Sequence, residues 1–193
     1  MKLNSLLLSL TLSTALTTPA MAAPAHYTID GSHTFPVFEV DHLGFSTQRG
    51  RFNKTSGTVV LDTTARSGSV DVSIDAGSID MGFAKWNENM RGEGYFHTEA
   101  HPAIRFVAGQ IRFEGENPVA AIGQLTLLGV TRPLTLTFER FRCAPHPMHK
   151  RETCGADLRG SLKRSDFGMT KSLPSVGDEI RLHVPVEAYR TPE

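Results

Sequence analysis

The chain has 193 residues, with 20 basic and 20 acidic side chains and a formal net charge of zero. This balance argues against non-specific binding to nucleic acid or to an anionic membrane, because both need a basic face. The length suits a single domain, and phenylalanine, with 11 residues, far outnumbers tryptophan and tyrosine.

The first 22 residues have the pattern of a cleaved secretory signal. Lys2 supplies a positive start, an apolar run covers about residues 6–16, and Ala20-Met21-Ala22 is a small-x-small cleavage motif. The apolar run is too short to span a bilayer, which takes about 20 apolar residues. We therefore predict export, cleavage after Ala22, and one mature domain over residues 23–193.

Apolar and polar residues alternate along much of the chain that follows. The alternation is clearest at 69–76 and 179–188, and it predicts strands with one buried and one exposed face, as in antiparallel sheet. Further strands are predicted at 34–40, 50–61, 103–113, 120–128, 134–141 and 156–164. About eight antiparallel strands without helix pairs to cover them indicate a closed barrel or a sandwich. The overall prediction is an all-β fold.

One short helix is predicted within residues 78–92. Ser78 is the candidate N-cap, and Phe83, Trp86 and Met90 form an apolar stripe at helical spacing. A helix inserted between two strands of a barrel is expected to lie across the barrel mouth. The stripe by itself is more typical of ordinary core packing.

The two cysteines, Cys143 and Cys154, flank a loop between two predicted strands. Because His146 and His149 lie between them, a zinc site is the alternative to a disulfide. In an oxidising compartment an even pair of cysteines closing a hairpin favours a disulfide. The ligand spacing C-x2-H-x2-H-x4-C also matches no common structural zinc pattern. We predict a Cys143–Cys154 disulfide and no metal site.

Six motifs, in order, give the chain a resemblance to a known family. They are "YTIDGSHTFPVFEVDHLGFSTQRGRF", "SID", "NENMRGEGYFHTEAHPAIRF", "LTLLGVTRPLTLTF", "RSDFGM" and "VGDEIRLHVPVEA". Together they resemble the YceI-like family of bacterial periplasmic proteins over about residues 27–188. The resemblance implies a periplasmic, eight-stranded antiparallel lipocalin-like barrel. It also implies an apolar channel that binds an isoprenoid lipid such as a polyprenyl quinone or polyprenyl phosphate.

Two positions depart from the family pattern. Asn87 stands where the family often has Asp, and Leu128 stands where His is common. If these positions contact a ligand head group, this chain is expected to prefer a different head.

Aromatic and sulfur-containing side chains are the candidates for lining such a channel. They are Phe35, Phe38, Phe45, Phe52, Phe83, Trp86, Met90, Phe96, Phe106, Phe138, Phe167 and Met169. The candidates for contacting a head group are His42, Arg51, Asn87, Arg91 and Arg164. Without the resemblance, the phenylalanines would be assigned to a filled core. No cofactor is predicted other than a bound polyprenyl quinone or similar isoprenoid.

A second hypothesis is a filled barrel that docks on a membrane redox protein such as a b-type cytochrome. In that case Arg142, Lys150 and Arg151, in the hairpin that the predicted disulfide closes, would contact an acidic partner. Catalysis is disfavoured, because the sequence contains no Gly-x-Ser-x-Gly, no His-Glu-x-x-His and no phosphate-binding loop. The sequence leaves the oligomeric state open, with a homodimer as one alternative.

Overall fold

The computed structural model describes residues 23–192. The helix, α1, spans Ala84–Arg91, and two 3-10 turns span Ala76–Ser78 and Arg164–Phe167. The strands are β1 (Ala25–Ile29), β2 (Val37–His42), β3 (Ser46–Phe52), β4 (Thr55–Asp62), β5 (Ser67–Asp75), β6 (Ile79–Asp80), β7 (Ala103–Glu114), β8 (Asn117–Leu127), β9 (Val130–Pro145), β10 (Glu152–Lys163) and β11 (Val176–Arg190). The predicted signal peptide, residues 1–22, lies outside the described residues. Within residues 23–192, no helix is long and apolar enough to cross a membrane.

Eight of the strands form a closed antiparallel barrel. The ring runs β1-β4-β5-β7-β8-β9-β10-β11 and closes where Ile29 of β1 pairs with Ala188 of β11. The long strand β11 also pairs with β2, where Leu182 lies opposite Phe38, and β2 in turn carries β3 and β6. The predicted eight-stranded antiparallel barrel with one helix is confirmed.

The alternating sequence decides which face of each strand lies inside the barrel. In β11, Leu182 and Val184 face the interior, whereas Arg181 lies on the outer surface and pairs with Glu39 of β2 at 3.2 Å. The same division holds in β5, where Val72 faces inward. Because side chains on a strand point alternately to the two faces, the sequence pattern predicts which of them line the barrel wherever no bulge interrupts the register.

The two ends of the barrel carry different connections. Neighbouring strands of the ring are antiparallel, so segments 43–45, 76–102, 128–129 and 164–175 all lie at one end, which we call the helix end. Segments 63–66, 115–116 and 146–151 lie at the other end, which we call the disulfide end. Helix α1 therefore lies at one mouth of the barrel.

The strand predictions differ from the structure at three places. The short strands β1 and β6 are absent from the prediction, and the predicted strand 50–61 is divided into β3 and β4 by Asn53 and Lys54. The backbone N–H groups of these two residues both donate to Ser78 Oγ at 3.1 Å. Because those donors turn toward the Ser78 side chain, the ladder is interrupted between the two strands.

The predicted helix cap at Ser78 is wrong. Ser78 ends a 3-10 turn, and the next two residues pair with β3, so the helix begins only at Ala84. Gly82 separates this strand from the helix with a left-handed backbone angle, φ of 74°, which glycine adopts without steric cost. Phe83 occupies the N-cap position and makes no side-chain cap.

The predicted disulfide between Cys143 and Cys154 is confirmed. The two cysteines lie directly opposite each other in β9 and β10, so the bridge joins two paired strands rather than the loop itself. The loop places the rings of His146 and His149 in a stack, with their centroids 3.8 Å apart.

Candidate binding cavity

A cavity of about 380 Å³ lies inside the barrel. This volume is within the range of small-molecule binding sites, roughly 300–1,000 Å³. Leu182, Val184 and Val186 line the cavity from β11, and they are only half-buried although they face the interior. Side chains in a packed core would be fully buried, so the barrel is hollow rather than filled.

The cavity is closed at the disulfide end. Tyr27, Leu61, Cys154 and Ala188 form a buried cluster there, and all four line the cavity. At the helix end, by contrast, Trp86 lines the cavity and is 39% exposed. The cavity therefore reaches the surface beside α1.

Three phenylalanines form an aromatic cluster on the cavity wall. The rings of Phe52 and Phe96 pack edge to face with their centroids 5.2 Å apart, and the centroid of the Phe38 ring lies 6.1 Å from that of Phe52. Gly50 makes this cluster possible, because a β-carbon at that position would lie 2.4 Å from both the Phe38 ring and the Met81 sulfur. The glycine thus lets the segment before α1 pack directly against β3.

Eight of the twelve predicted channel residues line the cavity. They are Phe38, Phe52, Trp86, Met90, Phe96, Phe106, Phe138 and Met169. Ligand binding by these residues stays a prediction.

The structure corrects the placement of the other four predicted channel residues. Phe45 is 89% exposed in the β2–β3 turn, and Phe83 is 58% exposed before α1. Phe35 lies against the guanidinium of Arg51, whose carbon is 4.8 Å from the ring centroid, and Phe167 is buried in the core beside the cavity. All four residues lie in connections between strands, whose side chains do not follow the inward-outward alternation of strands.

Two of the five predicted head-group residues line the cavity, His42 and Arg164. The other three make structural contacts elsewhere, which corrects their placement. Asn87 accepts a hydrogen bond from the Met81 N–H at 2.6 Å, and Arg91 donates to the Gly77 carbonyl at 3.0 Å. Arg51, as noted, stacks on Phe35.

Arg164 is a buried cation that is bonded to backbone carbonyls. Its guanidinium donates to the carbonyl oxygens of Met169, Lys171, Val176 and Gly177 at 2.8–3.0 Å. Burial lowers the pKa of Arg164 below its ordinary value, although arginine stays charged in proteins. The residue ties together the 164–175 connection at the helix end, and its donors are directed at that connection.

A small number of uncharged polar groups lie on the cavity wall. The hydroxyl of buried Thr55 has no hydrogen-bond partner among the described residues. Tyr27 donates to Glu152 at the closed end, and burial together with this acceptor raises the pKa of Tyr27 to about 12. Gln48 and Asn89 line the helix end.

Most of the wall is aliphatic and absent from the predicted site. Its valine, leucine and isoleucine members are Ile29, Val40, Val59, Leu61, Val70, Val72, Ile74, Ile104, Ile111, Leu125, Leu127, Leu134, Leu136, Leu158, Leu162, Val176, Ile180, Leu182, Val184 and Val186. The period-two alternation that identifies the strands also identifies these inward positions, so this signal was present in the sequence.

One group of possible metal ligands lies outside the cavity wall. Asp30, His33 and Glu187 bring one ligand atom each within 4.8 Å of one another. His33 Nδ1 is already hydrogen-bonded to Asp30 at 2.6 Å. Two of the three possible ligands are therefore already bonded to each other, and the absence of a metal site stays a prediction.

Comparisons with known proteins agree with this geometry. The sequence profile of the YceI-like domain matches residues 27–188. A UPF0312 protein of Photorhabdus laumondii is 32% identical over 191 residues, which cover 97% of this chain and 98% of that protein.

Two solved structures share the fold. BcnA of Burkholderia cenocepacia has a TM-score of 0.68 at 24% identity, covering 82% of this chain and 98% of its own. A polyisoprenoid binding domain from Saccharophagus degradans, implicated in plant cell wall breakdown, has a TM-score of 0.60 at 16% identity, covering 88% and 100%. At these identities the likeness concerns the fold alone.

Proposed function

Because the chain belongs to the YceI-like family, we propose that it binds one isoprenoid lipid in the barrel cavity and carries it through the periplasm. The observation that supports this most directly is an apolar cavity closed at the disulfide end and open beside α1. A similarly folded protein is a polyisoprenoid binding domain. The predicted signal peptide supports the periplasmic location.

The wall chemistry favours a neutral head group such as a quinone. Among the residues that line the cavity, Arg164 carries the only full charge, and its guanidinium is engaged by four carbonyls. A phosphate head group binds best to free cationic donors. A quinone carbonyl needs only a hydrogen-bond donor, and the unpartnered Thr55 hydroxyl on the cavity wall is one. We propose a polyprenyl quinone, with its tail toward the disulfide end.

The same wall chemistry supports binding rather than catalysis. Small-molecule sites of this kind combine an apolar lining with a few polar groups that orient the ligand. The cavity inside the barrel favours ligand binding over the alternative of a filled barrel. Docking on a membrane redox protein through Arg142, Lys150 and Arg151 stays a prediction.

Two adjacent residues of β8 provide a matched test of the cavity. Ala121 is buried and lines the cavity, whereas Ile122 is 39% exposed on the outer face. Ala121→Phe should place a ring in the ligand's volume and weaken binding of a short-chain ubiquinone at least tenfold. Ile122→Phe should leave the affinity unchanged.

The affinity is measured by quenching of the single tryptophan, Trp86, which lines the cavity. Circular dichroism melting establishes that both variants fold. Equal affinity of a folded Ala121→Phe variant and the wild type would place the ligand outside the barrel and contradict the proposal.

A further inference from the structure

Exposed apolar side chains are concentrated around the open end of the cavity. Leu43 and Phe45 lie in the β2–β3 turn, 50% and 89% exposed, and Phe83 and Trp86 lie at the start of α1, 58% and 39% exposed. These four residues, which we call the apolar rim, are at the helix end of the barrel. Of the large apolar side chains exposed in residues 23–192, the remaining three lie elsewhere: Val107 and Ile122 are on the paired strands β7 and β8, and Met148 is at the disulfide end.

The rim is continuous with the cavity. His42 and Gln48, which flank the β2–β3 turn, line the cavity, and so does Trp86 from α1. The rings of Phe83 and Trp86 contact each other edge to face, with centroids 6.3 Å apart. The wall of the cavity thus extends onto the outer surface at these two places.

The β2–β3 turn holds its exposed leucine in an unfavourable conformation. Leu43 and Gly44 have φ angles of 60° and 72°, and the Phe45 N–H donates to the His42 carbonyl at 3.1 Å. Two successive residues with positive φ in a hairpin turn favour Asn-Gly, because asparagine and glycine tolerate the left-handed conformation. Leucine is disfavoured there, and its apolar side chain is exposed, so local stability does not explain its presence.

The charged side chains on the elements that carry the rim are of both signs, because α1 holds Lys85, Glu88 and Arg91 and β2 holds Asp41. On α1, Lys85 and Glu88 pair with each other at 2.9 Å. In the turn, the Asp41 carboxylate accepts the Gly44 N–H at 2.9 Å. A partner recognised through this surface therefore needs neither strong charge nor a particular sign.

The ligand itself restricts what the rim contacts. Each methylene exposed to water costs about 0.8 kcal/mol, so a long isoprenoid cannot cross water between a bilayer and the cavity at a useful rate. Transfer from bilayer to cavity without water requires the cavity opening to touch the bilayer. Aromatic residues, tryptophan above all, are favoured at the membrane–water interface.

Resting on the proposed function, we propose that the apolar rim docks the open end of the barrel on a phospholipid bilayer. Leu43, Phe45, Phe83 and Trp86 insert at the level of the head groups, and the isoprenoid passes between bilayer and cavity through the opening. Docking is apolar in origin. It therefore takes place on zwitterionic lipid and is insensitive to salt.

The test uses vesicles of phosphatidylethanolamine and phosphatidylcholine that contain no isoprenoid. Trp86, the only tryptophan, reports insertion by a blue shift of its emission and by quenching with brominated lipid. Co-sedimentation with the vesicles gives the affinity at 50 mM and 500 mM salt. We expect insertion at both salt concentrations.

Three variants distinguish the contribution of the apolar rim to vesicle binding from general effects of replacing an exposed apolar side chain. Leu43→Asn should stabilise the turn yet weaken vesicle binding, and Phe45→Ser should weaken it as well. Together the two substitutions should lower the vesicle affinity at least about tenfold. Met148→Ser removes a side chain that is 85% exposed at the disulfide end and should leave the affinity unchanged.

Binding of a short-chain ubiquinone in solution, measured on the same variants, keeps this proposal separate from the proposed function. Retained quinone binding with lost vesicle binding supports docking by the rim. A wild type that binds quinone but not vesicles overturns the docking proposal and leaves the proposed function standing. Concentration-dependent self-association that Phe45→Ser abolishes, without vesicle binding, also overturns it and assigns the rim to a second copy of the chain.

Discussion

Two buried threonines show how the cavity affects single residues. Thr34 Oγ1 accepts a hydrogen bond from the Glu187 N–H at 3.1 Å and lies 3.3 Å from the carbonyl of the same residue. Thr55 is similarly buried, but its hydroxyl has no partner among the described residues. A buried hydroxyl without a partner lowers stability, so the presence of Thr55 on the cavity wall is better explained by the ligand than by the fold.

Replacement of each threonine by valine should therefore have opposite effects on stability. Thr34→Val should lower the free energy of unfolding by about 1–3 kcal/mol, because the Glu187 backbone loses its partner. Thr55→Val should leave it unchanged or raise it by up to about 1 kcal/mol. Urea denaturation measures both. An equal loss in the two variants would show that Thr55 is hydrogen-bonded and would contradict this account.

Asp30 is a second residue whose environment has a measurable consequence. Burial acts to raise the pKa of its carboxyl, but hydrogen bonds from Ser32, Tyr189 and His33 outweigh burial and hold the pKa well below its usual range. The hydrogen bond that Tyr189 donates to Asp30 also raises the pKa of Tyr189 to about 12. The folded state therefore favours the ionised carboxylate of Asp30.

This depressed pKa predicts how stability depends on pH. An aspartate in the unfolded chain has a pKa of about 3.9, so the stability that Asp30 contributes is present above that pH and is lost as the pH falls below it. Asp30→Asn should be less stable than the wild type at pH 7, and the difference should shrink between pH 4 and pH 2. Urea midpoints measure this, with the exposed Asp166→Asn as control for the lost charge. A difference that is independent of pH would contradict the assignment.

At the scale of elements, the disulfide joins β9 to β10 at the closed end of the cavity. Cys143 and Cys154 are opposite one another in β9 and β10, and Cys154 lines the cavity. The bridge joins β9 and β10 near the tip of their hairpin, two residue pairs before the 146–151 loop. Its contribution is therefore to the stability of the hairpin.

Replacing both cysteines by alanine should lower the free energy of unfolding by about 3 kcal/mol, the chain-entropy estimate for closing a loop of about a dozen residues. Reductant should lower the stability of the wild type to a similar extent and leave the double variant unchanged. Chemical denaturation with and without reductant measures this. Equal stability of oxidised and reduced wild type would contradict the stabilising role.

The strands differ in how well the sequence predicts them. Long alternating segments such as β5 and β11 are predictable, because the same period determines both the strand and its inward face. The five residues of β1 are too few for a clear period. The division of residues 50–61 depends on Ser78, which is distant in sequence and accepts hydrogen bonds from Asn53 and Lys54.

At the scale of the whole molecule, the barrel and the disulfide could be predicted, but seven of the seventeen predicted site residues do not line the cavity. A list of phenylalanines does not show which way each side chain points. It therefore includes Phe45, which is exposed in the β2–β3 turn, together with Phe52 on the cavity wall. Likewise, the sequence does not show that the Arg164 guanidinium is occupied by four carbonyls. That the barrel is hollow depends on how the aliphatic side chains of all its strands pack, which no single segment determines.

The most direct test of the central claim is native mass spectrometry of the protein, expressed with its predicted signal peptide and purified without detergent, followed by denaturing analysis of the released mass. The account predicts one isoprenoid per chain, in the mass range of a polyprenyl quinone, and its loss in Ala121→Phe but not in Ile122→Phe. A bare wild-type protein that also fails to take up added ubiquinone would contradict the claim that the cavity is an isoprenoid site.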